Sequence, residues 1–125
     1  MQLYVAPNGD DRWSGTRPTP NRTRTDGPLA SLPRALQRVA ERKTSSATIF
    51  LRGGTYWLTE PIVLTPEHSH LTIQAYRDEK PILSGGIPLS GWHETTLDGK
   101  RVWALTLPAG LPIPFRQLFV NGKRA

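Results

Sequence analysis

The sequence has 125 residues, 37% of them hydrophobic, with 12 Pro and 11 Gly. That is enough for one domain with a modest core, cut into short elements by many turns rather than drawn out into a helical bundle. It has no Cys, which excludes disulfides and thiolate chemistry, and no apolar run approaches the length of a membrane span. The 16 Lys and Arg against 10 Asp and Glu give a net charge of +6. Such a surface speeds encounter with polyanions, nucleic acid or acidic polysaccharide, or is simply a solvated arginine-rich face.

Leu3-Tyr4-Val5 reads as a short strand stopped by the turn signal Pro7-Asn8-Gly9. A compact polar loop with Asp10, Asp11, Trp13, Ser14 and Gly15 comes next. Clustered carboxylates suit Ca²⁺, so Asp10 and Asp11 are the candidate metal ligands. Their spacing does not match an EF-hand, and such side chains also satisfy their own backbone in turns. The stretch 16–27 is an exposed loop carrying Arg17, Arg22 and Arg24, and Asn21-Arg22-Thr23 matches a glycosylation acceptor.

A helix is expected within Leu29 to Lys43, centred on Leu32 to Arg42. Leu32, Ala35, Leu36, Val39 and Ala40 recur at helical spacing with Arg34, Gln37, Arg38 and Glu41 opposite. Ser31 is a suitable N-cap, and Pro33 fits the first turn. The expected task of this helix is to cover the apolar end of the strand region that begins at Thr48.

From Thr48 to Gly86 the pattern is of short strands and turns. Ile49 and Leu51 alternate with Phe50 and Arg52, and Leu71 and Ile73 alternate with Thr72 and Gln74, the period of a strand with one buried face. Leu71 lies 22 positions after Ile49, and Ile82 lies 20 after Ile62. Two interleaved series recurring at about one coil length point to a solenoid whose coils stack in parallel; a β-meander with coincident spacings is the alternative. Gly53-Gly54-Thr55 breaks the first strand. His68 and His70 read as turn residues, with a shared metal as the alternative.

Beyond Gly86 the pattern changes. Trp92 to Leu97 and Arg101 to Leu107 flank Asp98-Gly99, a preferred hairpin turn. Pro108, Pro112 and Pro114 predict an extended connection. Arg116 to Val120 is a last strand, ending at Asn121-Gly122. Its returning strand is expected to be missing, which would make these residues a fragment of a longer protein.

In this order, YVAPNGDDRWSGT, DGPLASLPRALQRVA, FLRGGTYWLTEPIVLTPEHSHLTIQAYRDEKPILSGG and QLFVNGKRA resemble the start of right-handed parallel β-helix proteins of the pectin-lyase-like superfamily. Within it the resemblance is nearest to fucosidase- and xylanase-type glycoside hydrolases. It implies a mainly β fold: a cap region over 1–47 with the helix at 32–42, first coils over 48–86, and a small antiparallel β-excursion over 87–125. It also implies polysaccharide or oligosaccharide as partner, not nucleic acid or membrane, and a secreted or periplasmic protein. MQLYVAPNGDD shows no signal peptide, so the chain is either cytoplasmic or begins after a removed signal. A glycoside hydrolase acting on plant or microbial polysaccharide is the function implied; a polysaccharide lyase or a non-catalytic polysaccharide-binding protein is the alternative, since fold does not settle function. A nucleic-acid reader would need a recognised motif, and none is visible.

Glycoside hydrolysis needs two carboxyl groups roughly 5 to 10 Å apart across the scissile bond. Most of the acidic residues here fall in turns or caps and none forms a convincing pair, and the resemblance implies that the acid and base generally lie on later coils. No catalytic residue and no cofactor other than the candidate Ca²⁺ is therefore expected. Sugar binding needs an aromatic face with polar groups around it. Trp13, in its polar loop, is the candidate substrate-binding residue; Trp57, Trp92 and Trp103 are expected to be core or cap aromatics, with Trp103 buried.

Overall fold

The structure is a computed structural model that describes residues 1–111 and 115–125. The chain divides into two compact units, Met1–Ile87 and Pro88–Ala125. Among the described residues the fold is mainly β with one α-helix.

The first unit holds two small parallel sheets. Strands β1 (Gln2–Val5), β2 (Ala47–Leu51) and β4 (Leu71–Ala75) form one, in the order β1-β2-β4, and β3 (Gly54–Trp57) pairs with β5 (Pro81–Ser84) in the other. The alternation in β2 is clean: Ala47, Ile49 and Leu51 are buried, and Thr48 and Phe50 face outward. Leu3 and Ile49 are in register, as are Val5 and Leu51, so their side chains stack from strand to strand beneath the sheet. Each Leu or Ile fully buried in this way contributes roughly 1.5 to 3 kcal/mol.

The free edge of β1 is covered by returning loop. Leu29 bridges Val5 in parallel, and the Tyr4 amide donates to Gly15 O at 2.7 Å. Helix α1 (Leu32–Arg42) begins at Ser31, whose hydroxyl accepts from the Arg34 amide, with Pro33 in the first turn; Lys43 closes it in the left-handed conformation. The helix buries Leu32, Ala35, Leu36 and Val39 in one cluster with Leu3, Val5, Leu29, Ile49, Leu51 and Tyr56. Leu29, expected within the helix stretch, instead serves the edge of β1.

The parallel pairing expected of the two series holds for β2 and β4, but in a different register. Ile49 pairs with Ile73, 24 positions on, and Ala47 pairs with Leu71. Two residues' difference keeps every side chain on its own face, because strand periodicity is two. The second series requires a larger correction. Ile62-Val63-Leu64 is not a strand; the partner of the Ile82 strand is Gly54–Trp57, with Thr55 opposite Ile82 and Tyr56 opposite Leu83. Gly54 adopts φ +125°, and a Cβ there would sit 2.7 Å from Pro7 Cγ. The pair of glycines that reads as a break thus lets the backbone turn against Pro7 directly into the next strand. Burial fades from β2 to β4: Ile49 is fully buried, whereas Ile73 is 37% exposed.

In the second unit, β6 (His93–Leu97) and β7 (Lys100–Ala104) form the antiparallel hairpin expected around Asp98-Gly99. Both turn residues have positive φ, as this turn requires. The expectation of a missing partner after Asn121-Gly122 is overturned. Strand β8 (Phe119–Val120) pairs antiparallel with β9 (Lys123–Arg124), so two residues after the turn are enough to close a short hairpin. The connection expected over Pro108, Pro112 and Pro114 falls in part on 112–114, outside the described residues.

Candidate functional site

The loop that carried the sequence candidates is tied down by its own side chains. Arg12 Nε and Nη2 donate to the Asp10 carboxylate at 3.0 and 2.6 Å. This fork, and the Arg12 amide on the same carboxylate, draw the Asp10 pKa down to about 2. Asp11 faces another way. Its carboxylate accepts from the Ala30 and Ser31 amides, both at 2.9 Å, and from the Ser31 hydroxyl at 2.8 Å. The structure therefore gives the two carboxylates separate protein partners. Among the described residues no group of three or more His, Cys, Asp or Glu is placed to hold a metal ion.

Trp13 is half-buried. Its ring lies against Gly27, where an added Cβ would come within 2.8 Å of Cε3 and Cζ3, and its carbonyl accepts from Arg38 Nη2 at 3.1 Å. Asp26 accepts from the Ser14 amide and hydroxyl, which lowers its pKa. His68 Nε2 lies 3.2 Å from Leu36 O, so this histidine joins its turn to α1, and His70 sits at positive φ two residues on.

A second cluster was missed by sequence reasoning. Arg52 comes directly after β2, and its Nε donates to Glu79 Oε1 at 2.5 Å while Nη2 donates to Oε2 at 3.1 Å. The Gly53 amide adds a bond to Glu79 at 3.1 Å. The Arg52 side chain leads these causes, and together they lower the Glu79 pKa. Arg52 also donates to Pro18 O, so it joins the loop, the first sheet and the turn before β5. A surface hollow of about 390 Å³ opens beside it, lined by Pro7, Asn8, Thr19, Pro20 and Glu79 among others.

Outward-facing rings flank this cluster. Tyr4 and Phe50, in register on β1 and β2, stack at 5.3 Å, and Tyr76 meets them edge-on at 5.7 and 6.2 Å. The Arg52 and Arg77 guanidinium carbons lie 4.8 and 4.9 Å from the Tyr76 ring centroid, within cation–π range. The usable sequence signal was the alternation itself, since positions 50 and 52 must face away from the buried 49 and 51.

The remaining tryptophans depart from expectation. Trp57, Trp92 and Trp103 are 50%, 43% and 68% exposed. Trp103 lies on the opposite face of its hairpin from Val102 and Ala104, the hairpin's half-buried residues.

Parallel strands in two small sheets beside one helix make a β-rich scaffold whose outer face carries Tyr4, Phe50, Tyr76, Arg52 and Arg77. No family model matches the chain. It is 34% identical over 86 residues to pectate lyase PEL9 of Emericella nidulans, an alignment that covers 66% of this chain and 18% of that protein. It is 31% identical over 100 residues to the uncharacterized protein YwoF of Bacillus subtilis, covering 76% of this chain and 18% of that one. Among solved structures it is similar to a glycoside hydrolase at a TM-score of 0.75 and 35% identity, over 99% of this chain and 21% of that one. The chain thus resembles pectin-lyase-like, carbohydrate-active proteins and spans less than a quarter of the length of each of these relatives. None of its described helices is long and apolar enough to cross a membrane.

Proposed function

We propose that these residues form the helix-capped first coils of a right-handed parallel β-helix in a secreted carbohydrate-active enzyme, with the antiparallel hairpins as an excursion from it. The observation that carries the proposal is the likeness over 99% of the chain to a glycoside hydrolase, supported by the recurring parallel register of β2 with β4 and β3 with β5. On this reading α1 covers the first coil, and the catalytic carboxylates lie elsewhere in the natural protein. The stretch itself meets polysaccharide through the Tyr4, Phe50 and Tyr76 face and through Trp13. The likeness to a pectate lyase favours a second reading, a polysaccharide lyase.

The natural protein that carries this chain, incubated with xylan and with polygalacturonate, distinguishes the two. A hydrolase releases reducing ends without ultraviolet absorbance. A lyase eliminates across the uronate ring and releases ends bearing an absorbing double bond conjugated to the carboxylate. Binding of polysaccharide without either product leaves a non-catalytic binding protein, and absence of both binding and products overturns the proposal.

A further inference from the structure

The β6–β7 hairpin presents one face whose composition differs from the rest of the second unit. Glu94 is directly opposite Trp103, and Thr96 is directly opposite Arg101. In an antiparallel pair, opposite residues and residues two apart share a face, so these four side chains project together. Trp103 is 68% exposed. Beside it, Arg101 Nη2 and Glu94 Oε1 lie 2.5 Å apart with side chains 78% and 46% exposed. The other face carries the half-buried Val102 and Ala104 together with exposed Leu97 and Lys100, so both faces meet solvent, and the indole stands on the one that also holds the Glu94–Arg101 pair.

Trp103 is the most exposed of the four indoles, and an indole presents a large apolar ring with a polar N–H at its edge. A pyranose answers it well. Its axial C–H face is apolar and flat enough to lie on an indole, and its equatorial hydroxyls both donate and accept. The hairpin supplies the complements at the ring's edge: carboxylate oxygens on Glu94, guanidinium donors on Arg101 and a hydroxyl on Thr96. The two charges cancel, so the face does not favour an anionic sugar. We infer, resting on the carbohydrate reading above, that the Trp103, Glu94, Arg101 and Thr96 face is a binding site for a neutral pyranose chain. It is an accessory site: its groups orient sugar and carry out no bond-breaking step.

Xylohexaose serves as the neutral probe and hexagalacturonate as the charged one, with affinities measured by calorimetry on the natural protein. Trp103→Ala should weaken xylohexaose binding about tenfold or more, equal to about 1.4 kcal/mol or more. Trp103→Phe should retain part of it, and Lys100→Ala, on the opposite face, should leave it unchanged. Saturating xylohexaose should slow oxidation of Trp103 by N-bromosuccinimide, read by peptide mass. Unchanged affinity in Trp103→Ala, tighter binding of hexagalacturonate through this face, or a Trp103 that does not react because another segment covers it would each overturn the inference. Failure here is separable from failure of the enzymatic reading. Turnover of polysaccharide with a silent Trp103 would remove only the hairpin site, and Trp103-dependent binding without turnover would remove only the enzyme.

Discussion

Arg52 Nε stands 2.5 Å from Glu79 Oε1, a contact across 27 positions that ties the end of β2 to the turn before β5. The same carboxylate takes the Gly53 amide, and the Arg52 guanidinium lies over Tyr76. One ion pair therefore holds the corner at which both parallel sheets meet the loop from Pro18.

This corner should make stability depend on acid. The Glu79 carboxyl is held below its ordinary 4.5 by the Arg52 hydrogen bond first and the Gly53 amide second. Its contribution is present above that ordinary value and is lost as pH falls through the lower folded value. Denaturant midpoints measured from neutral pH downward should fall in this acid range. Glu79→Gln should lower the neutral midpoint and flatten the acid limb; an acid limb as steep in Glu79→Gln as in the unchanged protein would show that other carboxylates carry it.

Leu36 is 5% exposed in the face of α1 that packs on the core cluster. Leu36→Ala should cost about 2 to 5 kcal/mol in equilibrium unfolding. A loss below about 0.5 kcal/mol would mean that the helix contributes little to the core.

Gly9 is required for close approach. A Cβ there would lie 2.2 Å from Leu29 O and 2.6 Å from Pro28 O, carbonyls that accept from the Ala6 and Asp10 amides. Gly9→Ala should destabilise by about 2 to 4 kcal/mol, among the larger single-residue effects. Gly85→Ala, where nothing lies within 4 Å, is the matched control and should change the midpoint little.

Asp11→Ala removes three hydrogen bonds at the start of α1 and should cost about 1 to 3 kcal/mol. Asp10→Ala should matter less, because its partner Arg12 is 89% exposed and surface pairs contribute little. Both carboxylates already serve protein donors, so calcium is expected to leave the thermal midpoint unchanged. A rise with calcium that both alanine variants abolish would place the ion between them.

Local chemistry was legible in the sequence. Ser31, Pro33 and the apolar spacing from Leu32 to Val39 mark α1, because capping and amphipathicity act within a few turns of chain. Alternation marks β2 and β4, and Asp98-Gly99 and Asn121-Gly122 mark hairpin turns, because backbone conformations with positive φ select those residues. The likeness to carbohydrate-active proteins was also readable from the segments in their order. Only the tertiary structure decided the register of Ile49 with Ile73, the choice of Gly54–Trp57 over Ile62–Leu64 as the partner of β5, and the pairing of Arg52 with Glu79. These depend on contacts between distant residues, where Pro7 packs against Gly54 and Tyr56 reaches the Val5 carbonyl at 3.0 Å. The exposure of Trp103 belongs with them: alternation tells which side chains share a face, but what covers that face is settled by the rest of the fold.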